Sequence, residues 1–369
     1  MNKVLFGDCR DSMRKLIASG VKVQTCVTSP PYFGLRDYGT ATWEGGNPAC
    51  DHAKGTAASK TSTLKNDGRP NPGSNNYEKS VIVPYRDICG KCGAIRVDRQ
   101  LGLEQTPQEY VANMVEVFSL VRELLSDDGT LWLNLGDSYA ANRGYQVPST
   151  LMNGDMTNQA QSAGGRGMKA SDYGLKPKNL IGIPWRVAFA LQDDGWILRQ
   201  DIIWSKKNCM PESVTDRCTK SHEYIFLLTK SERYYFDNEA IKEPIATSSA
   251  SRLAQDINSQ AGSSRVPGKT NGNMKAVGGP ENRNKRSVWE VATQPYSGAH
   301  FATFPPALIE PCILAGSRPG NIVLDPFFGS GTTGQVSQAL GRQWIGCELN
   351  EGYAELQNDR TAQYGMAFA

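Results

Sequence analysis

No stretch of about 18 apolar residues occurs anywhere in the 369-residue chain, which excludes a membrane-spanning helix. A secretory signal is not expected either, because Met1-Asn2-Lys3-Val4-Leu5-Phe6-Gly7-Asp8 reaches an acidic side chain too soon. Charge of one sign is also missing. Forty basic residues against thirty-seven acidic ones leave +3, a balance under which a local basic face neither must exist nor is ruled out. The chain has no internal repeat and no lysine-bearing phosphate loop, so ATP fits poorly as a ligand. Nine cysteines, an odd number, suit reduced thiols in a cytoplasm better than a disulfide framework, with some of them on a metal. With 39% hydrophobic and 21% charged residues, disorder throughout is excluded. There is room for two or three cores, or for one large α/β domain carrying insertions.

The well-patterned parts alternate strand and helix, as a mostly parallel sheet requires. Lys3 to Asp8 predicts a strand, Cys9 to Ala18 a helix, and the β-branched run Val23 to Thr28 a second strand. Thr106-Pro107-Gln108-Glu109 opens a helix, with Thr106 as cap, Pro107 at the first position and Glu109 completing a capping box. Asp128-Gly129 is expected to stop it before a strand from Thr130 to Leu135. A helix around Pro184 to Leu191 precedes two paired strands, Trp196 to Trp204 and Glu223 to Thr229. The closing block predicts a helix from about Pro305, a strand Asn321 to Leu324, a helix from Thr332, a strand Gln343 to Cys347 and a last helix. Three polar, glycine-rich tracts interrupt this order, at 40–76, 140–178 and 247–286.

Near the C-terminal end, Val323-Leu324-Asp325-Pro326-Phe327-Phe328-Gly329-Ser330-Gly331-Thr332-Thr333 runs a buried strand through a two-glycine turn into a helix. Glycines allow a ligand close to the backbone, and a helix start offers unpaired N–H groups. Glu348 ends the next strand 23 residues after Asp325, where nucleotide-binding α/β folds hold ribose hydroxyls. A nucleoside without a pyrophosphate fits this pattern; a glycine turn in an ordinary βαβ unit is the alternative. Near the N-terminal end, Thr28-Ser29-Pro30-Pro31-Tyr32 follows a strand. Its prolines fix the backbone, so that Ser29 Oγ and the Pro30 carbonyl can both accept from one –NH₂ group, while Tyr32 offers an aromatic face to a flipped base. An exocyclic amine is a poor nucleophile because its lone pair is delocalised into the ring. Two acceptors would draw it toward tetrahedral geometry and aim it at a methyl donor, by positioning and electrostatics alone.

With these elements side by side, the chain resembles an amino-group DNA methyltransferase that uses S-adenosylmethionine. Asp325 to Thr333 resembles the family's methionine-binding element, Thr28 to Tyr32 its catalytic element, and His300-Phe301-Ala302-Thr303-Phe304-Pro305 the element that closes over the cofactor. Catalytic element first and cofactor element last is the permuted order of the family's β group. Gly7-Asp8, near the adenine moiety, Gly129 to Asp137, Trp204-Ser205-Lys206 and His222 to Lys230 are further matches. The resemblance implies a Rossmann-like methyltransferase fold, a mostly parallel sheet with helices on both faces, circularly permuted. It implies a catalytic half at 1–39 and 101–240, an insertion at 40–100, a target recognition segment at 241–290 and a cofactor half at 291–369. The cofactor-binding residues it implies are Asp8, Thr28, His300, Phe301, Thr303, Phe304, Pro305, Asp325, Pro326, Phe327, Gly329, Ser330, Gly331, Thr332, Thr333 and Glu348. The catalytic ones are Ser29, Pro30, Pro31 and Tyr32. Double-stranded DNA is the implied substrate, with a homodimer and a cognate restriction endonuclease as further expected partners.

Cys50-Asp51-His52 and Cys89-Gly90-Lys91-Cys92-Gly93 flank the first polar tract and are similar to a zinc knuckle. Cys50, His52, Cys89 and Cys92 would close a structural zinc site, the alternative being free thiols in a loop. Residues 242–286 hold eight basic side chains against three acidic ones. Arg265, Lys269, Arg283, Lys285 and Arg286, with Lys206, are expected to meet DNA phosphates; a solvated loop is the alternative. Methylation of ring carbon would need a thiol nucleophile, and Cys312 is expected to be core instead. Ser29 opening the Pro-Pro-Tyr element resembles cytosine-N4 enzymes more than adenine-N6 ones. Cytosine N4 is therefore the expected target, ahead of adenine N6, a protein glutamine amide, or a DNA-binding protein without catalysis.

Overall fold

A computed structural model describes residues 1–34, 40–52, 88–140, 174–245, 282–294 and 304–362. Strand β1 (Lys3–Phe6) leads into helix α1 (Cys9–Ala18), whose N-cap Asp8 accepts from the Arg10 N–H. Strand β2 (Val23–Thr28) follows, buried along its whole length, as a strand covered on both faces must be. Strands β3 (Thr42–Glu44) and β4 (Ile95–Val97) pair antiparallel as a separate ribbon.

Helix α2 (Pro107–Leu124) begins where its cap residues predict, with Glu109 N–H donating to Thr106 Oγ1 at 3.1 Å. The reciprocal half of the capping box is shifted. The Glu109 carboxylate accepts from the Gln105 N–H, one residue before the cap. The boundary after α2 also differs from expectation, since the helix ends at Leu124 and strand β5 (Leu125–Leu135) starts at once. Leu125 already pairs with Val23 in the sheet, and the register slips before Thr130 meets Thr25. Asp128-Gly129 therefore lies in an irregularity of the strand instead of ending the helix.

Helix α3 (Ile183–Asp193), strands β6 (Ile197–Ser205) and β7 (His222–Thr229) come next, β6 and β7 antiparallel. Short strands β8 (Glu243–Pro244) and β9 (Asn282–Arg283) pair with each other, and β10 (Val288–Glu290) joins the edge of the main sheet beside β6. The chain closes with α4 (Pro306–Gly316), β11 (Ile322–Asp325), α5 (Thr332–Ala339), β12 (Gln343–Glu348) and α6 (Ala354–Ala362).

The eight-stranded sheet has the order β1-β12-β11-β2-β5-β7-β6-β10. Within it only β7 is antiparallel to its neighbours. The last two strands of the sequence thus lie between the first two, and the ends of β12, β11, β2 and β5 open on one edge. Alternation along each strand feeds two cores. Leu131, Leu133, Phe226 and Leu228 pack with α1, α2 and α3 on one face, while Trp132, Ile225 and Leu227 pack with α4 and α5 on the other. Helices on both faces of a mostly parallel sheet make this a Rossmann-like fold. Among the described residues no helix is long and apolar enough to cross a membrane.

Candidate active site

In an open parallel sheet, ligands bind beyond the carboxyl ends of the strands. Here β2 and β11 are neighbours, with Cys26 opposite Leu324, so the Thr28 and Asp325 ends emerge side by side. Thr28 Oγ1 donates to Asp325 Oδ1 at 2.6 Å, Thr333 Oγ1 donates to Asp325 Oδ2 at 2.6 Å, and the Phe327 N–H donates to Oδ1 at 3.0 Å. Asp325 is buried, and burial pushes its carboxyl up to about 6 against the pull of these three donors. This carboxylate fastens the turn to β2 and to the first turn of α5.

The turn itself divides into a buried and an open side. Asp325, Pro326, Phe328, Ser330, Gly331, Thr332 and Thr333 are buried, whereas Phe327, Gly329 and Glu348 keep partial exposure. Phe328 stacks on Trp344 with ring centroids 5.0 Å apart. A Cβ at Gly346 would lie 2.3 Å from the Phe328 ring, which is why β12 carries glycine there. Gly331 takes a left-handed φ of 88° and caps α5 without a side-chain bond, leaving the helix start to backbone N–H groups. Glu348 Oε2 accepts from the Gly329 N–H and Oε1 from the Asn350 N–H, both at 2.8 Å. Burial drives the Glu348 carboxyl up to about 7, despite those two donors. Arg360 of α6 donates to Ser330 Oγ and Thr332 Oγ1, so the last helix clamps the turn from behind.

Asp8 holds Arg10 through both carboxylate oxygens while it caps α1. Burial works upward on its carboxyl, but the Arg10 guanidinium outweighs it and holds Asp8 below the usual range. The adjoining Gly7 N–H donates to the Glu348 carbonyl at 2.9 Å, which joins the end of β1 to the end of β12.

On the other side of β2, Ser29 and Tyr32 belong to a chain of polar contacts. Ser29 Oγ donates to Tyr32 Oη at 3.3 Å, and Tyr32 Oη donates to Glu223 Oε2 at 2.7 Å, with Asn134 Oδ1 3.1 Å away. Asn134 Nδ2 donates to Glu223 Oε2 at 3.3 Å and to the Tyr224 carbonyl at 3.0 Å. Lys206 pairs with the second oxygen of Glu223 and lies 4.6 Å from the centre of the Trp204 ring. Burial, together with the nearby Glu223 carboxylate, raises the Tyr32 phenol well above its ordinary value. The Pro31 carbonyl accepts from Tyr110 Oη at 2.9 Å, which fixes the loop to α2. Gly136 lies against the ring of Tyr32, where a Cβ would come within 2.5 Å of Cε2.

The fold therefore brings together Thr28, Ser29, Pro30, Pro31, Tyr32, the Asp325–Thr333 turn and Glu348. Phe304 packs on the α4 side of the sheet and Pro305 caps α4. His300, Phe301, Thr303, Arg265 and Lys269 lie outside the described residues. Arg283 and Arg286 both pair with Glu243, at 3.0 and 2.7 Å, and Lys285 lies over the Trp289 ring. Cys312 is buried in α4, its thiol pushed up by burial, and is core as expected. Asn134, Glu223 and Tyr110 were not singled out by sequence reasoning. Asn134 and Glu223 lie in segments that resemble the family's strands and Tyr110 in the pattern of α2, but such patterns say which face a residue takes and not which polar group it meets. The Cys50, His52, Cys89 and Cys92 ligand atoms all fall within 4.8 Å of one another.

The sequence model of the family described as DNA methylase matches residues 23–359. The chain is 41% identical over 355 residues to the type II methyltransferase M.Cfr9I of Citrobacter freundii, covering 96% of this chain and 85% of that protein. It is 40% identical over 359 residues to the type II methyltransferase M.SmaI of Serratia marcescens, covering 97% and 90%. Among solved structures, the PvuII DNA methyltransferase, named as cytosine-N4-specific, superposes with a TM-score of 0.52 at 15% identity, covering 97% of this chain and 86% of that one.

Proposed function

Because the chain belongs to the DNA methylase family, we propose that it transfers a methyl group from S-adenosylmethionine to the exocyclic amine of a base in double-stranded DNA, cytosine N4 being the target. The observation that carries this reading is the Thr28–Asp325 bond, which sets Ser29 one residue from the strand end that leads into the glycine turn.

The residues at the β11 and β12 ends suit such a cofactor. The uncapped start of α5 and the exposed side of Phe327 and Gly329 would receive it, and Glu348 would accept from its ribose hydroxyls. When bound, the cofactor supplies an electrophilic methyl on a sulfonium. Ser29 supplies the acceptor. It has one hydroxyl proton and directs that proton to Tyr32, which in turn donates to Glu223. The lone pairs of Ser29 Oγ are thereby left for an incoming amine, and the Pro30 carbonyl is the second acceptor. Such an amine would be turned out of ring conjugation and aimed by fixed dipoles, with no covalent intermediate. After transfer its proton passes to solvent.

Residues 1–39 and 101–240 carry the catalytic half on this reading, 291–369 the cofactor half and 241–290 the target recognition segment. The β8–β9 ribbon lies within that segment, and Arg286, largely exposed although paired with Glu243, would be available to a phosphate on this reading. The catalytic element preceding the cofactor element, with β12 and β11 inserted between β1 and β2, supports the permuted arrangement. The type II names of the relatives support a restriction endonuclease as partner.

Incubating the purified chain with duplex DNA and labelled cofactor, then digesting to nucleosides, identifies the product by mass spectrometry. N4-methylcytosine is expected. Methyladenine would overturn the base, and the absence of any methylated nucleoside would overturn the reading.

A further inference from the structure

We propose that Cys50, His52, Cys89 and Cys92 form a closed structural zinc site that holds the β3–β4 ribbon beside the catalytic loop, a site independent of the methyl-transfer reading. Arms of about 2.3 Å to sulfur and about 2.0 Å to nitrogen give tetrahedral edges of about 3.8 Å between sulfurs and about 3.5 Å between sulfur and nitrogen. Cys50 Sγ and Cys89 Sγ are 3.9 Å apart, and Cys92 Sγ and His52 Nδ1 are 3.5 Å apart. All four donor atoms lie within 4.8 Å of one another, and the three thiols are free of disulfides.

Backbone amides also surround the sulfurs. Backbone N–H groups of Lys91 and Cys92 point at the Cys89 sulfur, those of Asn47 and Ala94 at Cys92, and that of His52 at Cys50. Amides directed at sulfur stabilise the ionised ligand and fix its direction. Gly46, with a φ of 71°, passes so close over Cys92 that a Cβ would sit 2.8 Å from its sulfur. His52 takes a left-handed φ of 41°, and its ring is stacked on Trp43 at 4.8 Å with 15° between planes. That conformation turns Nδ1 toward the sulfurs. Three converging sulfurs and one imidazole favour zinc over a hard cation, and four protein ligands leave no open position for catalysis.

The ribbon's outgoing strand connects the site to the reaction loop. The Gly102 carbonyl accepts from the Gly34 N–H at 2.8 Å, and a Cβ on Gly102 would lie 3.0 Å from the Tyr32 carbonyl. A metal between β3 and β4 thus fixes a segment that packs directly on Pro31 and Tyr32.

The test uses the full-length chain, purified without chelator and desalted. Elemental analysis is expected to give about one zinc per chain, and zinc-edge X-ray absorption three sulfurs and one nitrogen in the first shell. Cys89→Ser and Cys92→Ser are expected to lose the metal, while Cys209→Ser and Cys218→Ser, which alter cysteines outside the cluster, retain it. Should the cluster variants prove insoluble, the absorption spectrum of the unaltered chain decides. A metal-free chain, an oxygen-rich shell, or zinc retained in Cys89→Ser would each overturn the site. None of these readouts depends on methylation, so failure here leaves the enzymatic reading standing, and the reverse.

Discussion

Thr28 Oγ1 and Asp325 Oδ1 meet at 2.6 Å although 297 residues separate them in the chain. The bond exists because β2 and β11 are parallel neighbours, so whatever follows one strand end lies beside whatever follows the other. Asp325 is accordingly an internal fastener more than a ligand contact, and its titration reports on the fold. Its folded value, about 6, stands above the 3.8 of a free carboxyl because burial penalises the charge. The sign follows from linkage: the folded state holds the proton more tightly. The stabilising contribution is complete below the unfolded value and is lost as pH rises through about 6, about 3 kcal/mol in all. Asp325→Asn removes that penalty. Thr333 can turn its proton to the Val27 carbonyl, 3.5 Å away, and accept from the new amide. Thermal unfolding should show Asp325→Asn gaining on the unaltered chain between about pH 4 and pH 6 and keeping that gain to pH 8. Asp325→Ala, which strands three donors, should lose about 2–4 kcal/mol below pH 4, and the deficit should shrink as pH rises because the variant also lacks the buried charge. An Asn variant less stable than the original at pH 8 would refute the assignment.

Glu348 gives a second pH dependence, this time in binding. Its carboxyl is raised to about 7 by burial, and ribose hydroxyls donate best to the ionised form. Cofactor binding must then draw the proton off. By calorimetry the dissociation constant for S-adenosylmethionine should increase as pH falls below 7, approaching about tenfold per unit. Glu348→Gln should bind more weakly and lose that slope. A constant affinity from pH 5.5 to pH 8 in the unaltered protein would exclude Glu348 from the ribose site.

How much of this was visible in the sequence depends on the range of the interaction. Helix α1 and strand β2 were legible to the residue, because caps, β-branched runs and glycine stops are local. The Asp325 turn was legible because close backbone approach restricts residue choice. What the Asp325 carboxylate does was not, since its partners come from β2 and α5 and only the sheet order decides that they meet. The end of α2 was misplaced for a related reason. Asp128-Gly129 is a valid local stop, but the pairing of Leu125 with Val23 acts four residues earlier. Glu223 and Asn134 lie in the matched segments His222 to Lys230 and Gly129 to Asp137, but nothing local marked either as a partner of Tyr32.

Tyr32 and Glu223 carry the third prediction. Tyr32→Phe removes the link between Ser29 and Glu223, and Glu223→Gln removes the negative charge of the acceptor that orients Tyr32, and with it the ion pair with Lys206. Each should lower kcat by about 100-fold while leaving cofactor affinity within about twofold, because neither side chain lies on the Glu348 side of β2. Steady-state methylation alongside calorimetry separates the two quantities. Equal losses in kcat and in cofactor binding would mean that the network is only structural.

The tightest constraint on Tyr32 comes from a residue with no side chain. A Cβ at Gly136 would lie 2.5 Å from Tyr32 Cε2 and 2.9 Å from Cδ2. The ring cannot yield easily, since its hydroxyl is tied to Ser29 and Glu223 and the adjoining Pro31 carbonyl is held by Tyr110. Gly136→Ala should therefore cost about 1–3 kcal/mol in denaturant unfolding, as other overpacked sites do. The cause is one clash, so removing the ring should remove the cost. In a double-mutant cycle, Gly136→Ala in a Tyr32→Ala background should be nearly neutral, giving a coupling of about 1–3 kcal/mol. Additive losses would show that Gly136 serves the backbone turn after β5 and not the placement of the tyrosine ring.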